Sequence, residues 1–69
     1  MRFDPAPLVA AVGDLSIHEV QEVIGVNSRT WSRYRNGTGT ISMDMADKYA
    51  VRLGMHPGEI WPEWWEVAS

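Results

Sequence analysis

The sequence predicts an all-α fold, a compact bundle of five short helices, from three observations. Apolar residues recur at the 3.6-residue spacing of a helix in separate stretches along the chain. Ser or Asn stands ahead of most of these stretches and Gly behind them, the residue types that satisfy the orphan backbone groups at helix starts and ends. The chain has 69 residues and no cysteine, so a single small core must come from dense helix packing or from a partner subunit rather than from disulfides.

The first helix begins near Pro7, where proline costs nothing because the first helical N–H is unbonded anyway. Leu8, Val9, Val12 and Leu15 form its apolar stripe. Arg2 and Phe3 ahead of it read as a frayed terminus, with a flexible arm as the alternative.

The stretch IHEVQEVIGVNSRTWSRYRNG, residues 17 to 37, reads as two helices around a sharp turn. Ser16 and Glu19 form an S-x-x-E capping box that opens the second helix. Ile17, Val20, Val23 and Ile24 make its apolar face, with His18, Glu19, Gln21 and Glu22 turned away. Gly25 stops it, because a left-handed backbone costs glycine least, and Val26 plugs the corner. Asn27 caps the third helix, in which Trp31 and Tyr34 are the buried pair beside Thr30. Its outer face is Ser28, Arg29, Ser32, Arg33 and Arg35 or Asn36. Gly37 and Gly39 end it and open the loop G-T-G-T.

Ser42 caps the fourth helix, and Asp44 in its first turn suits the helix dipole. Ala46, Tyr49, Ala50 and Leu53 repeat on one face, Ile41 and Met45 add bulk, and Gly54 ends the run. Asp47, Lys48 and Arg52 read as plain surface charges. His56-Pro57-Gly58-Glu59 starts a fifth helix with proline at its first position and glutamate at its third, and Ile60 and Trp61 turn inward. The whole chain, residues 1–69, is one domain with a Trp-rich tail at 61–69. Three of the four tryptophans, Trp61, Trp64 and Trp65, crowd that tail, as core packing or as a dimer contact.

The formal charge is −3, yet residues 23 to 43 hold three arginines and no acid, so that segment carries +3 and the rest −6. At physiological salt, fields are screened over about 8 Å, which lets a local basic face act while the acidic remainder is muted. Other chemistries find little support. No glycine-rich phosphate loop followed by Lys and Ser/Thr is present, and no paired carboxylates or Ser-His-Asp set shares an evident surface, so no enzyme and no small-molecule substrate are expected. His18 and His56 without cysteine are too few for a structural zinc, and no metal or cofactor is assigned. No apolar run has the length of a membrane span, and Asp4, Pro5 and Pro7 interrupt any signal-peptide profile, so a soluble, cytoplasmic protein is expected.

Residues 8 to 61 resemble the phage repressor and Cro family, also called Xre-type. An apolar residue is followed by apolar-Gly-apolar at Ile24-Gly25-Val26, then Asn27, then Trp31 and Tyr34. A Gly-containing loop leads to a further helix that ends R-L-G-M-H-P-G-E-I-W. Gln21 departs from the alanine usual where the two motif helices touch. The resemblance implies a lambda-repressor-like bundle around a central helix-turn-helix. The function it implies is a sequence-specific double-stranded DNA-binding transcriptional regulator, a Cro-like repressor, that reads the major groove of a near-palindromic operator as a homodimer in the nucleoid. By position in the motif, Ser28, Arg29, Ser32 and Arg33 face base edges, where arginine can donate two bonds to guanine. Asn27, Arg35, Asn36, Thr38 and Thr40 grip phosphates. The alternatives are a protein-interaction module of antirepressor or antitoxin-adaptor type that uses the Trp tail, and an excisionase-type DNA architectural protein.

Overall fold

A computed structural model describes residues 2–68, with the side chains of 2–66; Met1 and Ser69, the ends of the single-domain reading, lie outside the described residues. The chain is mostly helical. In order it forms β1 (Arg2–Phe3), α1 (Ala6–Val12), α2 (Ile17–Ile24), α3 (Ser28–Arg35), β2 (Ile41–Ser42), α4 (Met43–Arg52), α5 (Pro57–Ile60) and α6 (Trp64–Ala68). The described residues thus contain six helices where the periodicity predicts five, and a short strand pair that it does not predict. Among the described residues no helix is long and apolar enough to cross a membrane.

The helix boundaries follow local chemistry. Ser16 Oγ accepts from the Glu19 N–H at 3.3 Å, and the Glu19 carboxylate accepts from the Ser16 N–H at 3.1 Å, which closes the capping box. Asn27 Oδ1 accepts from the Thr30 N–H at 2.8 Å and Ser42 Oγ from the Met45 N–H at 3.3 Å. Each such cap contributes about 1 kcal/mol. At α5 the cap is an imidazole: His56 Nδ1 accepts from the Gly58 N–H at 2.9 Å, while Glu59 accepts from the His56 N–H at 2.9 Å. Gly25 ends α2 with φ +72°, the left-handed conformation that turns the chain into α3 within three residues.

The core gathers one face of every element from β1 to α5: Phe3, Leu8 and Val12, Val20 and Ile24, Trp31 and Tyr34, Ile41, Ala46, Tyr49 and Ala50, and Ile60, with Trp61 just beyond. Val26 fills the corner between α2 and α3. Two expected contributors differ. Met45 is largely exposed, and Met43 packs half-buried against the core instead. Ile17, at the start of α2, is also exposed at the edge of its apolar face.

The N-terminus is a clear correction. Arg2 and Phe3 are neither frayed nor a free arm: β1 pairs antiparallel with β2, Arg2 opposite Ser42 and Phe3 opposite Ile41. Phe3 is 1% exposed and lies 5.4 Å from the Trp61 ring and 5.6 Å from Trp64. Burying a phenylalanine is worth about 1.5–3 kcal/mol, enough to hold a two-residue strand that backbone bonds alone would not hold. Trp61 Nε1 donates to the Asp4 carbonyl at 2.8 Å, and the Asp4 carboxylate accepts from the Ala6 N–H at 2.8 Å as α1 begins.

Candidate functional site

The segment that stands out chemically is α3, whose orientation is set by its buried side. At about 100° per residue, Trp31 and Tyr34 define the inward direction. Both are buried, with ring centroids 6.4 Å apart in an edge-on arrangement, and Tyr34 meets Tyr49 of α4 edge-on at 6.3 Å. The Tyr49 hydroxyl also bonds that of Tyr34, and burial together with that bond pushes its pKa above the ordinary 10.0. This anchoring fixes the rotation of α3, so Arg29 and Asn36 project most directly away from the core. Ser32 and Ser28 lie on one side of that line and Arg33 on the other. All five are exposed.

The three arginines therefore do different things. Arg29 stands at the centre of the outer face, in the first turn of the helix. Arg33 leans toward the loop after α3, where its guanidinium lies 3.4 Å from the position that a Cβ on Gly39 would occupy. Arg35 leans the other way and lines a cleft of about 420 Å³ with Val9, Asp14, Ser16 and Trp31, at the corner where α1 ends and α2 begins. Among the described residues none of the three pairs with a carboxylate.

The remaining candidates divide by position. Asn27 sits at the turn, exposed, its Oδ1 committed to the cap and its amide N–H groups free of that bond. Thr38 and Thr40 are exposed on the loop, and the Thr38 N–H closes the end of α3 on the Arg33 carbonyl at 2.8 Å. Gln21 is half-buried, between the core and solvent. Arg52, which reads in sequence as a plain surface charge, instead reaches over the α2–α3 turn, with its guanidinium 3.5 Å from the Cβ position of Gly25. There a cation meets the negative end of the α2 dipole, a favourable arrangement worth a few tenths of a kcal/mol to about 1 kcal/mol. Nothing in the spacing of the sequence signals it.

The tryptophan tail separates into three roles. Trp61 is 0% exposed and belongs to the core, so of the two readings, core packing or dimer contact, it takes the first and not the second: its indole N–H is bonded and its faces are covered within one chain. Trp64 is half-buried against Phe3. Trp65 is 58% exposed, stacked face to face on His56 at 4.5 Å and 5° and crossing over Gly58. Among the described residues no group of three metal-ligating side chains exists. No family model, no curated protein and no solved structure matches the chain.

Proposed function

We propose that this protein is a small sequence-specific double-stranded DNA-binding regulator of the Cro-like type, with α2 and α3 as a helix-turn-helix inside a lambda-repressor-like bundle. The observation that carries the reading is the outer face of α3: exposed, free of acids, and rotated by Trp31 and Tyr34 so that Ser28, Arg29 and Ser32 point outward together. The major groove is about 12 Å wide and admits one helix, whose first turns then reach base edges. Arg29 is the principal base reader, with Ser28 and Ser32 beside it; Arg33 joins them by leaving Gly39. Arg35, Asn27, Asn36, Thr38 and Thr40 hold phosphates. The unbonded N–H groups at the start of α2, next to the Arg35 cleft, add to that grip.

One helix in one groove is a small interface. Two copies on half-sites about 34 Å apart would double it. The exposed Trp65 is one apolar surface for that contact. The same residue supports the second reading, a protein-interaction module that docks a different partner through its tail. On the DNA-binding reading the protein works where the duplex is, in the cytoplasm of a bacterial or phage-infected cell.

Selection of bound duplexes from a random pool tests the proposal. The expected result is enrichment of a near-palindromic sequence with half-sites about one turn apart. A pool left unenriched after repeated rounds contradicts it.

A further inference from the structure

The β1–β2 ladder packs on α4, and its second strand follows directly from the loop after α3. Side chains alternate along a strand, so with Phe3 buried, Arg2 must face outward. It is exposed, and among the described residues it pairs with no carboxylate, although Asp4 and Asp44 are close in sequence to it and to its cross-strand partner Ser42. β2 begins directly after the loop that carries Thr38, Gly39 and Thr40. Three residues separate Gly39 from Ser42, at most about 10 Å of chain, and an antiparallel partner lies about 5 Å further. Arg33 already rests on Gly39. Arg2 therefore lies across the ladder from the end of the G-T-G-T loop, with its backbone within about 20 Å of the Arg33 guanidinium.

We propose that Arg2 is a fixed phosphate contact that extends the α3 surface along the loop side. This rests on the DNA-binding reading above and adds to it a cation from the opposite end of the sequence. A duplex strand carries a phosphate for about every 3.4 Å of axis, so a backbone running past the loop presents several phosphates within that span. What makes Arg2 more than a loose terminal charge is its anchor. Phe3, wedged against Trp61 and Trp64, and the pairing to Ile41 and Ser42 hold the strand in place. Part of the entropy of ordering a terminal arginine is thereby met by folding rather than by binding. In this arrangement the tryptophan tail serves the DNA face indirectly, because it is the tail that seats Phe3.

The experiment compares wild type, Arg2→Ala, Arg2→Lys and Arg29→Ala on a mixed-sequence duplex and on a duplex recovered by selection, across a salt series, with circular dichroism to verify folding. Removing one phosphate contact should lower the slope of log affinity against log salt by about 0.9. Arg2→Ala is expected to show that drop on both duplexes with the specific-to-random ratio unchanged, and Arg2→Lys to keep the wild-type slope. A folded Arg2→Ala with the wild-type slope, while Arg29→Ala binds more weakly, overturns the role of Arg2 and leaves the DNA-binding reading standing. A wild-type protein that binds neither duplex overturns both.

Discussion

Gly58 shows how much can depend on one missing side chain. Its backbone is buried beneath the Trp65 indole, and a Cβ there would overlap the ring. The indole is mostly in solvent on its other side and can swing away, so the overlap is relieved by moving the ring rather than by straining the backbone. Gly58→Ala should therefore displace Trp65 from His56, seen as a change in tryptophan emission, at a stability loss of no more than about 1.5 kcal/mol, the worth of an aromatic stack. A much larger loss in urea denaturation would mean that Trp65 is held more firmly than its exposure implies. The sequence around this site was half legible. H-P-G-E announces a capped helix start, because capping is a local matter of three or four residues. That the glycine also makes room for an indole seven positions on depends on how α6 folds back, which no local pattern carries.

The same division holds for whole elements. α2 and α3 could be read in outline because the capping box at Ser16 and Glu19, the left-handed Gly25 and the Asn27 cap all act within a few residues. The β1–β2 ladder could not. Two residues on each side give no alternation to detect, and Phe3 is buried by Ile41, Trp61 and Trp64, all distant in sequence. Trp61 was ambiguous for that reason: its partners, Phe3 and the Asp4 carbonyl, lie at the other end of the chain. The contact between α3 and α4 makes a prediction of its own. Because the native state raises the Tyr49 pKa, the unfolded chain gives up that proton first as the medium turns alkaline, and the native state binds more protons. Stability from this group is complete below the ordinary phenol value of 10.0 and declines as pH rises above it. The fall in urea midpoint between about pH 9 and about pH 11 should be smaller in Tyr49→Phe than in wild type, a tenfold change in acidity being worth about 1.4 kcal/mol. An equal fall in both proteins would show that the buried Tyr49 hydroxyl does not contribute to the alkaline loss of stability.

At the scale of the whole molecule the chain separates its charges. The acids lie outside residues 23 to 43, where α3 carries three arginines, and Arg52 reaches over the neighbouring turn. A net charge of −3 disfavours binding to any polyanion at long range, so binding must come from a local fit inside the screening length. The composition and the acid-free segment were readable at once. The inward pair Trp31 and Tyr34 was readable too; what the sequence did not contain was where Arg33 and Arg35 come to rest, against Gly39 and beside Val9 and Asp14, since those contacts depend on the loop after α3 and on α1. On the proposed function Arg29 reads bases and Arg35 grips phosphate, and the most direct test measures both. Arg29→Ala and Arg35→Ala are titrated with a duplex recovered by selection and with a mixed-sequence duplex. Arg29→Ala should lower the specific-to-random affinity ratio about 5- to 150-fold, the equivalent of losing 1–3 kcal/mol of base discrimination, while Arg35→Ala weakens binding to both duplexes and leaves the ratio intact. A ratio unchanged by Arg29→Ala would contradict the placement of α3 in the groove.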